Sequence, residues 1–159
     1  MAKFEFVGID EYLDQLNQLS EHAEGLCKRA LYDGAAVVAN AVKTEIQNLP
    51  TTDRNPPKGK PLGILEYEKQ GLLEGLGIAK MRTEGGYIET HIGFEGYNRL
   101  KSKKYPQGHP NSMIARSIES GSSVRAKHPF MAKALNKAKQ QAQNAMAARL
   151  DIDIHNIIH

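Results

Sequence analysis

The sequence predicts an α+β fold: a small antiparallel sheet packed against a long second helix and a long C-terminal helix. Three observations predict it. Apolar residues recur at three- and four-residue steps over two long stretches, His22–Asn48 and Pro129 to about Leu150. Two alternating segments flank Glu84–Gly85–Gly86, a hairpin signal. The order helix–helix–hairpin–helix contains no βαβ alternation, which argues against a parallel sheet.

Lys3–Ile9 alternates, with Phe4 and Phe6 against Lys3 and Glu5, and reads as a short strand or extended arm. Asp10 is a candidate cap for a first helix with Tyr12, Leu13, Leu16 and Leu19 on one face. Ser20 is expected to separate it from the second helix. That helix carries Ala23, Leu26, Cys27, Ala30, Leu31, Gly34, Val37, Val38, Ala41, Val42 and Ile46 as one stripe. Gly34 inside it costs up to ~1 kcal/mol relative to Ala, and a close helix contact would explain it.

Leu49–Gly63 holds four prolines and reads as a long loop, mobile in the free subunit. A short helix follows over Glu66–Leu76. Ile78–Thr83 and Tyr87–Phe94 are the two strands. In the second, Tyr87, Glu89 and His91 alternate with Ile88, Thr90 and Ile92, so one face is expected to be covered. Tyr97–Pro110 is a second mobile loop, rich in Lys, Pro and Gly. Ile114 and Ile118 mark a short helical turn, broken at Glu119–Ser120–Gly121. Pro129 suits a first helical residue, because its missing N–H costs nothing there. The buried stripe of the last helix is expected to be Phe130, Met131, Ala134, Leu135, Ala138, Ala142, Ala145 and Met146. Phe130, Leu135 and Val38 are the predicted core anchors. The tail Asp151–His159 is expected to fray or dock on a neighbour.

Size and composition set further bounds. At 159 residues, 40 % of them apolar, the chain is long enough for one domain, 1–159, with an aliphatic core. No run approaches the ~20 apolar residues of a membrane span. The opening MAKFEFVGI lacks the apolar segment of a signal peptide. The single Cys27 excludes an internal disulfide and fits a reducing compartment. The net charge of +3 is too mild to imply nucleic acid by itself.

Candidate chemistry is sparse. Asp151, His155 and His159 share a helical face at metal-ligand spacing, but a charged terminus explains them as well. Cys27 lies in the apolar stripe and reads as a small core residue rather than a nucleophile. His22 stands five residues away, on another side of the helix. Ser117, Ser120, Ser122 and Ser123 surround Gly121 without a nucleophile elbow, so turn chemistry accounts for them. Glu119 is placed to pair with Arg116 or Arg125, to sit at a subunit edge, or to be solvated. Arg99, Lys101, Lys103 and Lys104, interleaved with Tyr97 and Tyr105, form a basic-aromatic patch. It suits a phosphate backbone or an acidic partner, or is a solvated loop. No catalytic residue, metal ligand or cofactor site emerges.

One element carries a resemblance. Ala115, Ile118, Glu119 and Gly121, then Ala126, Pro129, Phe130, Met131, Ala134 and Leu135, followed by an Ala/Lys-rich helix, match "A-x-x-I-E-x-G … P-F-M-x-x-A-L". This resembles the gene-product-ten-like family of tailed-phage head–tail joining proteins. Gln70–Gly71–Leu72–Leu73 and Ile92–Gly93–Phe94 stand where that family has "T-G-x-L" and "V-G-F". Gln70 in place of Thr or Ser, and the basic insert Tyr97–Pro110, depart from its pattern.

The resemblance implies a non-enzymatic virion assembly protein of a phage or prophage, made in the bacterial host cytoplasm. It would be a neck or tail-completion ring of six or twelve copies, joined to other neck, connector and tail-tube proteins. The expected subunit interface comprises Glu119, Gly121, Arg125, Lys133, Lys137 and Gln140. The alternatives are a nucleic-acid-binding protein using Arg99, Lys101, Lys103 and Lys104, and a small hydrolase or toxin-like enzyme.

Overall fold

The computed structural model describes residues 9–159, the side chains of Ile9, Asp10 and Tyr12 excepted. The strand expected at Lys3–Ile9 therefore lies, but for Ile9, outside the described residues. Four helices and four short strands follow: α1 Ile9–Gln47, α2 Glu66–Gly75, β1 Leu76–Ile78, β2 Arg82–Glu84, β3 Tyr87–Glu89, β4 Ile92–Phe94, α3 Asn111–Ser120 and α4 Phe130–Ile158.

The expected break at Ser20 is absent. α1 is one helix of 39 residues, because a lone Ser among Leu, Gln and Glu costs only a few tenths of a kcal/mol and no Gly or Pro stands beside it. Asp10 accordingly lies inside the first turn. α4 also outruns its expected end. It continues through the tail to Ile158, and two ion pairs fasten that end to α1: Arg29 Nε to Asp153 at 2.7 Å and Arg149 Nε to Asp33 at 2.6 Å.

α1 and α4 pack antiparallel over most of α4. Small residues make this possible: Ala30, Ala35, Ala138 and Ala142 are all buried. Gly34 has the predicted close contact. A Cβ there would stand 2.6 Å from Met146 Cγ and 3.5 Å from the Ala142 carbonyl oxygen. Farther along, Val42, Ile46, Leu49, Ile64, Leu72, Ile114, Ile118, Phe130 and Ala134 form the core, where α1 meets α2, α3 and the start of α4. Each such large side chain stabilises by about 1.5–3 kcal/mol when fully buried.

The hairpin turns at Gly85–Gly86 as expected, but its ladder is interrupted. β1 pairs with β4 (Leu76 with Phe94, Ile78 with Ile92), and β2 pairs with β3 (Arg82 with Glu89). They form two separate two-stranded ribbons rather than one sheet. Ile88, Thr90 and Ile92 are half-buried while Tyr87, Glu89 and His91 are exposed, the alternation the sequence predicts. The hairpin lies along α1. Phe94 meets Phe130 edge-on, with centroids 6.0 Å apart.

Of the predicted anchors, Phe130 is buried and Val38 is half-buried against the core. Leu135 is not an anchor. It is 51 % exposed, because the buried stripe of α4 follows the four-residue steps Phe130, Ala134, Ala138, Ala142 and leaves Leu135 about 100° round the helix. Cys27 is likewise exposed, since the buried stripe there runs through Leu26 and Ala30.

Candidate functional site

The segment from α3 to α4 is organised by Glu119. α3 ends at Gly121, whose φ of 71° turns the chain out of the helix. The chain then returns, and the His128 N–H donates to the Ile118 carbonyl at 2.8 Å. α4 starts one residue after Pro129, whose side chain offers no capping oxygen. Glu119 supplies it from a distance. Its Oε2 accepts the Met131 N–H at 2.7 Å and its Oε1 accepts the Ala132 N–H at 3.0 Å. Two orphan donors of the first turn are thus satisfied by a carboxylate, which the helix dipole also favours. The Glu119 carboxylate bonds neither Arg116 nor Arg125. Losing a cap of this kind costs about 0.5–2 kcal/mol. Glu119→Ala should lower the unfolding free energy by that amount, read in a denaturant melt.

Arg125 is directed inward, against its assignment to a subunit surface. It is 9 % exposed, and its Nη2 donates to Glu68 Oε1 at 2.8 Å. The other Glu68 oxygen accepts the Leu65 N–H at 3.0 Å, closing the first turn of α2. One carboxylate therefore ties α2 to the loop before α4. Backbone bonds beside it, Leu62 N–H to the Val124 carbonyl and Thr52 N–H to the Ile64 carbonyl, fasten the ends of the 49–63 loop.

Lys133 and Lys137 are exposed, but both reach down to Glu45 on α1, at 3.3 and 2.6 Å. Glu45 is 5 % exposed. The Lys137 ammonium, with Lys133 beside it, holds the Glu45 carboxyl below the ordinary carboxylate value of 4.5, against the opposing effect of burial. A carboxyl lowered on folding stabilises the fold fully above its unfolded value, and the contribution is lost as pH falls through the lower folded value. A pH series of melts should show this clamp intact at neutral pH and failing only below about 4.5. Glu45→Gln should reduce the acid dependence. Gln140, the remaining predicted interface residue, is exposed and bonds Asn144 along its own helix at 3.0 Å.

The basic patch keeps its exposure. Arg99, Lys101, Lys103 and Lys104 are all exposed. Arg99 lies over the Tyr67 ring, 5.7 Å from its centroid, and Lys104 over Tyr105 at 5.5 Å. The base of this loop is stitched, beyond what its composition suggests. Asn98 is buried, and its Oδ1 accepts the N–H groups of Leu100 and His109, each at 3.1 Å. Gly108, at φ 112°, lets the returning chain lie against the Asn98 carbonyl, where a Cβ would clash. Gly108→Ala should therefore open the loop. Limited proteolysis of the parent chain is expected to cut first at Lys101, Lys103 and Lys104, and at Arg54 and Lys58, with the Gly108 variant cut faster. Complete resistance at those sites would show both loop tips to be packed.

Tyr67, Gln70, Gly71, Glu74, Tyr97, Asn98 and Arg99 line a groove between α2 and this loop. Its volume of about 240 Å³ falls below the ~300–1,000 Å³ usual for small-molecule sites. Among the described residues no three His, Cys, Asp or Glu side chains gather as metal ligands. No described helix is long and apolar enough to cross a membrane. The His155 and His159 rings lie 4.6 Å apart, tilted by 45°, and both residues are exposed.

Sequence reasoning misses Glu68 and Glu45, whose partners lie 57 and 92 residues away. It also misses the exposure of Leu13 and Leu16. No protein-family model, curated protein or solved structure matches the chain.

Proposed function

We propose that this chain is a structural subunit of the head–tail junction of a tailed phage or prophage. It works by assembly rather than catalysis and without a cofactor, as a neck or tail-completion ring of six or twelve copies. It is made in the host cytoplasm and carried in the virion, against connector and tail-tube proteins. One observation carries the reading: the residues of the family-like element act together. Ile118 packs in the core, Gly121 turns the chain, Glu119 caps α4, and Phe130 seats it against β4. The matched residues thus form one structural device in this chain, and the role proposed for it is the one the resemblance implies. A subunit that repeats one heterologous contact closes into a ring when the rotation permits.

Deleting the gene from an inducible genome is the test. DNA-filled heads and separate tails should accumulate, and a plasmid copy should restore joined particles. Normal yields of infectious particles without the gene would overturn the proposal.

The second reading, nucleic-acid binding, is favoured by the exposed Arg99–Lys104 run beside the exposed Tyr97 and Leu100. It predicts a DNA mobility shift that weakens steeply with salt and disappears when the four basic residues are replaced.

A further inference from the structure

α1 is longer than the partner it packs on. Asp153 sits against Arg29 and Arg149 against Asp33, so the end of α4 at Ile158 falls opposite α1 near Glu24. Residues 9–23 extend past it, about 22 Å of helix at ~1.5 Å per residue. The burial pattern agrees. Leu26 is buried, whereas every described side chain from Glu11 to Glu24 is exposed or half-buried. This overhang carries an apolar stripe: Leu13 is 50 % exposed, Leu16 43 %, and Leu19 is half-buried. A row of leucines on a solvated helix is unfavourable unless something covers it.

Charge indicates what covers it. Residues 9–23 contain Asp10, Glu11, Asp14 and Glu21 and no Lys or Arg. Residues 97–110 contain Arg99, Lys101, Lys103 and Lys104 and no Asp or Glu. The basic loop also presents apolar surface, with Tyr97 55 % and Leu100 46 % exposed. It lies at the far end of the molecule. Arg99 rests on Tyr67 of α2, and α2 is tied through Lys69 to the carbonyls of Gln47 and Leu49, at the other end of α1. One chain cannot bring the two ends together, whereas two copies can.

We propose that the acidic, leucine-striped overhang of α1 docks on the basic 97–110 loop of a second copy of this chain. The contact joins two different surfaces, so it repeats head to tail. Leucines cover Leu100 and Tyr97, and the flanking acids face Arg99, Lys101, Lys103 and Lys104. This inference rests on the ring reading and names its contact. Of the residues first expected to make it, four have partners within the fold: Arg125 in Glu68, Lys133 and Lys137 in Glu45, and Glu119 in α4.

The experiment uses the full chain with Cys27→Ser as background. Leu16→Cys and Leu100→Cys are introduced singly and together, and the proteins are oxidised at high concentration. The paired variant should give a ladder of disulfide-linked multimers, faint in high salt, where the charges are screened. Each single variant should give none. In sedimentation, Asp14→Lys/Glu21→Lys and Lys101→Glu/Lys103→Glu should each associate less than the parent, and their mixture should recover association.

A dimer from Leu16→Cys alone would mean overhang-to-overhang pairing and overturn the proposal. The absence of a ladder would also overturn it. Ladder formation only after removal of residues 1–8 would show that the chain's own amino terminus covers the stripe, and would count against the proposal in the same way. So would a loop that takes DNA and blocks crosslinking. A symmetric ring in particles with no ladder would refute this contact alone. A ladder from a chain absent from particles would refute the junction reading alone.

Discussion

Phe130→Ala is expected to lower the unfolding free energy by about 3–5 kcal/mol, a drop in Tm on the order of 10 °C for a chain of this size. Phe130 is 2 % exposed and meets Phe94 edge-on. It is the first residue of α4 and packs in the cluster that holds α1 to α3. Its neighbours cannot collapse freely into the space, because the Glu119 cap and the His128-to-Ile118 bond fix the backbone on the near side. Leu135→Ala is the control. At 51 % exposure it should change stability by no more than about 0.5 kcal/mol. Equal losses at the two positions would mean that the buried stripe of α4 is misplaced.

Glu68→Ala and Arg125→Ala should each cost about 3–5 kcal/mol, because removing one member strands the other's charge in the interior. The two side chains are 6 % and 8 % exposed. Among the described residues Arg125 Nη1 has no partner, so none of them satisfies the pair fully even in the parent. That makes the double replacement informative. Glu68→Leu with Arg125→Met keeps the volume and removes both charges, and such exchanges are often neutral or stabilising. The double variant should melt well above either single variant. If the loss in the double variant equalled the sum of the two single losses, the two residues would be acting independently, contrary to the 2.8 Å bond.

These two sites divide what the sequence made legible from what it did not. Phe130 could be found because the chain announces it: a proline start, an aromatic, then Ala134, Ala138 and Ala142 at helical steps. The hairpin was legible for the same local reason, Gly85–Gly86 between alternating segments. Gly34 was legible as a close contact because Gly inside a helix is costly without one. The Glu68–Arg125 and Glu45–Lys137 pairs were not legible, since nothing local marks which distant base an acid will meet. Arg125 looked like surface because a basic residue in a Ser-rich loop usually is.

Errors at the helix ends have a different origin. Ser20 and the Asp151–His159 tail carry weak helix-breaking signals: a lone Ser costs too little to end α1, and packing partners decided the tail. Arg29 and Asp33 hold the tail's end of α4 to α1, and tertiary contacts override propensity. Leu135 illustrates the limit of period counting. Phe130, Ala134 and Leu135 all satisfy three- and four-residue steps, but only one edge of that wide stripe faces α1.

The ring proposed for this chain at a head–tail junction can be looked for in particles. The most direct measurement is a cryo-electron reconstruction of particles purified from cells that express the chain with its neighbouring genes. Symmetric density is expected, six- or twelvefold, lying between portal and tail tube and fitted by the paired α1 and α4 helices. Complete, infectious particles with no density for this chain would contradict it.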